Sequence, residues 1–135
     1  IDTIAVIIDT SGSVPAQTLA EFWAELREVV DEIRPERVFV LQVDAALRDA
    51  AEYGPDDLPE EIALKGRGGT DFRPGFEWLD EQGIRPGVCC YFTDMECSSY
   101  PEAEPDFPVI WCDYSTPPSQ RNREPWGERI HIASR

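Results

Sequence analysis

The run Ile4-Ala-Val-Ile-Ile8 constrains this chain more than any other stretch. It is continuously apolar and rich in β-branched residues, where a half-exposed strand alternates. Such a strand is buried on both faces, so the sheet that holds it has to be covered on both sides. Val38 to Val43 and Val88 to Phe92 repeat the signal. Leu19, Phe22, Trp23, Leu26, Val30 and Ile33 recur at steps of three and four. That spacing predicts an amphipathic helix from about Pro15 to Arg34, opened by Pro15, capped by Ser13 and stopped by Pro35. Phe72, Phe76 and Leu79 mark one face of a second helix, which Gly83 ends. Ala45 to Tyr53 reads as a weaker strand entered through a tight turn, hence antiparallel at an edge. Val109 to Cys112 is a further strand and Arg129 to Ala133 a final edge strand, with Ser98 to Pro108 a loop and Tyr114 to Gly127 irregular. The expected fold is α/β: a doubly wound, mostly parallel sheet with one antiparallel edge strand and helices on both faces.

Three stretches end or follow these elements with oxygen-bearing side chains: Asp9-Thr-Ser11-Gly-Ser13, Gly68-Gly69-Thr70-Asp71 and Thr93-Asp94. Ligands in open α/β sheets bind beyond the carboxyl ends of the strands, so the three can meet at one edge. Asp9, Ser11, Ser13, Thr70 and Asp94 then offer two carboxylates and three hydroxyls. Oxygen-only donors suit Mg²⁺, with Mn²⁺ or Ca²⁺ as alternatives, rather than zinc. Neutral hydroxyls enter a coordination shell without quenching the ion's charge, which leaves it able to take a partner's carboxylate. The helix start after Ser13 also favours an anion such as phosphate, but Asp9 and Asp94 would repel it. Taken singly, Asp9, Ser11 and Ser13 are also ordinary turn and cap residues. It is the addition of Thr70 and Asp94 that favours a site. Asp44 reads as a turn residue or as one that orients a ligand, and Asp71 as a helix-start residue.

The chain has 135 residues, enough for one domain spanning 1–135. Twelve Lys+Arg against 27 Asp+Glu give a formal charge of −15, which disfavours nucleic acid and anionic membranes as partners. The longest apolar run is far short of the roughly 20 residues of a membrane span. A start at Ile1, directly before a strand, suggests a domain excised from a longer protein. Cys89, Cys90, Cys97 and Cys112 form no CxxC, and three of them sit in apolar runs, as expected of reduced thiols in the cytoplasm. His131, the only histidine, alternates between Ile130 and Ile132 and should face solvent. Trp126 lies in a polar segment, either as a contact residue or packed back on the sheet.

Asp9-Thr-Ser11-Gly-Ser13 after an apolar strand resembles the DxSxS motif of von Willebrand factor type A (VWA) domains. Gly69-Thr70 and Thr93-Asp94 are similar, in order and approximate spacing, to that family's second and third metal-site loops. Val43-Asp44, Gly68-Gly69-Thr70-Asp71-Phe72, Tyr91-Phe-Thr-Asp94, Pro108-Val-Ile-Trp111 and Pro125-Trp126-Gly127 look most like the VWA-like C-terminal domain of predicted bacterial metallopeptidases. The resemblance implies a metal-ion-dependent adhesion site (MIDAS). By that resemblance Ser11, Ser13 and Thr70 are hydroxyl ligands, and Asp9 and Asp94 act mainly through water or switch between direct and indirect contact. It implies protein–protein contact rather than catalysis, and a zinc-dependent domain upstream; no HExxH occurs in this chain.

The expected function is thus a divalent-metal-dependent module that captures an acidic group of a partner protein or adjacent domain. A Mg²⁺-dependent phosphohydrolase with Asp9 as nucleophile is the alternative from another class, but the usual second aspartate is replaced by Ser11 and Lys65 is the only lysine. A structural domain with a vestigial site is the third.

Overall fold

Every residue of Thr3–Asp9, the first strand β1, is buried. The computed structural model of the chain describes residues 2–10, 15–66, 68–115 and 124–132. After β1 come α1 (Ala16–Ile33), β2 (Arg37–Val43), β3 (Leu47–Tyr53), α2 (Arg73–Glu81), β4 (Val88–Thr93), β5 (Val109–Asp113) and β6 (Glu128–His131). The strands form one sheet in the order β3-β2-β1-β4-β5-β6. All neighbours are parallel except β2 and β3, the antiparallel edge pair.

Because strand side chains alternate, β1 feeds two cores. Ile4, Val6 and Ile8 pack with Leu19, Trp23, Leu26 and Val30 of α1. Ala5 and Ile7 pack with Phe76 and Leu79 of α2 and with Tyr91 and Trp111. One helix covers each face, as a run apolar at every position requires. Gly75 lets α2 come close: a Cβ there would stand 2.9 Å from Ile7 Cδ1. Truncating a fully buried side chain such as Leu79 costs about 2–5 kcal/mol in cores of this kind.

The helix boundaries have local causes. Arg34 adopts φ 57° and returns its N–H to Val30, closing α1 just before Pro35. At the other end Pro15 is itself the cap residue, in an extended conformation (ψ 121°), so α1 starts one residue later than expected; Ser13, the expected cap, lies outside the described residues. Gln42, buried in β2, donates to Ala63 O (3.0 Å) and accepts from Lys65 N (2.7 Å), which ties the segment before the glycine-rich loop to the sheet. Trp126 packs on Trp111 and Phe76, each at 5.6 Å between ring centroids, and its carbonyl accepts from Trp111 Nε1. His131 is exposed.

Candidate functional site

The strand order reverses between β1 and β4, and a crevice forms beyond their carboxyl ends at such a switch point. Asp9 is the last residue of β1 and is fully buried. Its Oδ2 accepts a 2.7 Å hydrogen bond from Thr93 Oγ1, at the end of β4. The same hydroxyl accepts from Met95 N at 3.1 Å. Thr93 thus has its proton committed to Asp9. Met95 takes a left-handed turn (φ 64°) with its side chain buried, which swings the following loop over the sheet. Asp94, half-buried, lies between these two residues and accepts from Glu96 N at 3.0 Å.

Thr70 reaches the same edge through Asp44. The buried Asp44 carboxylate accepts from Ala46 N (3.1 Å) and Arg48 Nε (2.7 Å) on one oxygen and from Gly68 N (2.9 Å) on the other. Its own carbonyl accepts from Asp71 N at 3.1 Å. The loop before α2 is therefore clamped to the end of β2 on either side of Gly69 and Thr70. Gly66 is obligatory in this clamp: its φ is +93°, and a Cβ would stand 2.7 Å from Asp44 Oδ2. Asp71 does act at the helix start, accepting from Arg73 N and Nε, both at 2.9 Å.

The loop after β4 locks onto the loop before α2. Phe72 N donates to Ser99 O (3.1 Å), and the Cys97 thiol donates to Thr70 O (3.4 Å). On the other side Thr10 N donates to Val43 O at 2.9 Å, holding the first loop to the end of β2. Hydrogen bonds thus link the segments that carry Asp9, Thr70 and Asp94. Ser11 and Ser13 lie outside the described residues.

The surroundings are electronegative. Burial, then the charges of Asp94, Asp9 and Asp113, push the Tyr114 phenol well above its ordinary range. Burial and Asp9 do the same to Tyr91. Among the described residues the buried Thr10 hydroxyl has no hydrogen-bond partner, and a Cβ at Gly66 would stand 3.0 Å from it. Such a group is ordinarily satisfied, in proteins, by an ordered water or ion. Among the described residues no three His, Cys, Asp or Glu side chains are grouped to hold a metal. A cation at this edge therefore needs hydroxyl, water or partner oxygens beside its two carboxylates, the donor set of a hard ion.

Residues 4–133 match the family described as VWA-like domain (DUF2201). This chain belongs to that VWA-like family. An uncharacterized protein of Thermotoga maritima is 32% identical over 91 residues, which is 67% of this chain and 22% of the relative. The chain thus spans under a quarter of that relative's length. No solved structure matches it.

Sequence reasoning named Asp9, Thr70 and Asp94, but it missed Thr93 as the donor to Asp9. A hydroxyl closing an apolar strand, directly opposite the aspartate that closes its neighbour, was the available signal for Thr93. The register that sets them opposite was not available.

Proposed function

We propose that this VWA-like domain is a divalent-cation-dependent binding module of the MIDAS type. Asp9, Ser11, Ser13, Thr70 and Asp94 are its metal ligands, directly or through water, for Mg²⁺, with Mn²⁺ or Ca²⁺ as substitutes. A partner protein or adjoining domain supplies a carboxylate. The observation that carries this reading is the fully buried Asp9 at the switch point, oriented by Thr93, the residue before Asp94. A carboxylate withdrawn from water is costly unless it is paired or bonded. Bound there, a hard cation supplies positive charge and an electrophilic position facing outward.

Each residue has a task in this scheme. Thr93 fixes one oxygen of Asp9 and so sets the orientation of the carboxylate. Asp44 holds the glycine-rich loop so that Thr70 does not drift. The module binds and does not catalyse; a peptidase activity belongs to an upstream domain of the parent protein. Four free thiols suit a reducing compartment, and we assign the domain to the cytoplasm. Among the described residues no helix is long and apolar enough to cross a membrane.

The test is a thermal melt in Mg²⁺ or Mn²⁺ against EDTA, for the wild type and Asp9→Ala, with and without a short acidic peptide. A ligand that binds only the native state raises Tm. The proposal requires a metal-dependent rise in the wild type, with the peptide if not without it, that Asp9→Ala abolishes. No rise under either condition, or an equal rise in the variant, contradicts it.

A further inference from the structure

A concave surface lies between the carboxyl-terminal half of α2 and the loop that leads into β5. Its cavity has a volume of about 390 Å³, in the range of ligand pockets. The floor is apolar: Phe76, Ile84, Pro101 and Phe107, with the rings of Phe76 and Phe107 stacked at 6.4 Å. The rim is acidic. Glu77 and Asp80 stand three residues apart on α2, Glu104 faces them from the loop, and all three are exposed. Among the described residues none of the three is in an ion pair, although the charge of Glu77 acts on Arg73 one turn earlier on α2, whereas Asp106, at the same rim, is paired with Arg85. The helix adds its own negative end. The last turn of α2 carries no basic residue, and Asp80 and Gly83 at that end line the cavity.

From this we infer that the groove is a docking site for a cationic, amphipathic partner segment, in which Lys or Arg alternates with aliphatic side chains. The aliphatic groups fill the floor over Phe76 and Phe107, and the basic heads reach the acidic rim. A second copy of the chain is the wrong occupant: each copy carries −15, and like charge opposes the encounter. The inference is independent of the metal site, because the occupant has no carboxylate to give.

The experiment uses fluorescein-labelled LRLKL, with GRGKG and LELEL as controls, in EDTA at about 150 mM salt, read by fluorescence anisotropy and amide shift mapping. LRLKL is expected to bind, with shifts centred on Glu77, Asp80, Ala103 and Glu104. GRGKG is expected about tenfold weaker or worse, and LELEL is not expected to bind. Glu77→Gln with Glu104→Gln lowers affinity about fivefold to tenfold. Glu25→Gln with Glu32→Gln, exposed acids on α1, changes it less than about twofold. Ala103→Trp, at an exposed lining position, blocks the groove without touching the fold. The inference fails if LRLKL does not bind, if GRGKG binds as well, or if the α1 pair matters as much as the rim pair. It fails equally if Ala103→Trp has no effect, or if the groove shifts reflect self-association.

Discussion

Thr93 donates its hydroxyl proton to Asp9 at 2.7 Å, joining the carboxyl ends of two neighbouring strands whose residues lie 84 apart in sequence. The bond is buried, so its loss is not replaced by water.

Thr93→Val keeps the shape of the side chain and removes the donor. Urea unfolding in EDTA should show a loss of about 1–3 kcal/mol, the cost of leaving a buried acceptor one bond short. Thr93→Ser keeps the hydroxyl and should lose about 1 kcal/mol, for one methyl group. The metal-dependent rise in Tm should survive in the serine variant and shrink in the valine variant. Equal stability and equal metal response in both variants would show that the bond does not orient Asp9.

Asp44 clamps a whole loop from a buried position. Asp44→Ala should cost about 2–3 kcal/mol in urea unfolding, since bonds to a charged acceptor are the stronger kind. Arg48, one of its partners, is half exposed and should cost under about 1 kcal/mol on change to alanine. The same Asp44→Ala protein should show faster amide exchange at Gly68 and Asp71. Unchanged exchange there would mean the loop holds itself.

Gly66→Ala tests the clamp from the opposite side. The positive φ and the approach to Asp44 act together, so the loss should exceed about 1 kcal/mol. Gly83→Ala is the comparison, because its φ is also positive (+67°) but no neighbouring atom stands within 4 Å of the added Cβ. Gly83→Ala should therefore be the milder change; the reverse order would contradict the clamp.

Asp71 and Arg73 give a pH-dependent increment. Hydrogen bonding from the Arg73 side chain holds the Asp71 carboxyl below its ordinary value of 3.8. A lowered carboxylate stabilises the fold above the unfolded value, and that stability is lost as pH falls through the lower folded one. The stability difference between wild type and Arg73→Ala should be flat from about pH 5 to 7 and shrink below about pH 4. A difference that widens on acidification has the wrong sign.

The core strands were legible because their chemistry is local. Ile4 to Ile8 could only be a doubly covered strand, and the Leu19–Trp23–Leu26–Val30 stripe could only be one buried helix face. The edge position of β3 followed from its weak strand character and its tight turn, and its half-buried alternation agrees with it. Asp9 and Asp94 stood out as candidates because oxygen-bearing side chains follow apolar strands there, and Thr70 because it lies in the glycine-rich loop before α2. What depends on register was not readable: the pairing of Ile8 with Phe92 that brings Asp9 beside Thr93, and the use of Gln42 inside an apolar strand to hold Ala63 and Lys65. For Trp126 the polar segment left two readings open, and the structure takes the one in which its ring packs back on the core against Trp111, because aromatic area outweighs the polarity of its neighbours.

The central claim is best tested by crystals soaked in Mn²⁺ and examined by anomalous scattering. The account predicts one peak beyond the carboxyl ends of β1 and β4, within ligand or water-bridged distance of Asp9, Ser11, Ser13, Thr70 and Asp94. No peak at saturating Mn²⁺, or a peak only at the acidic surface elsewhere, would contradict it.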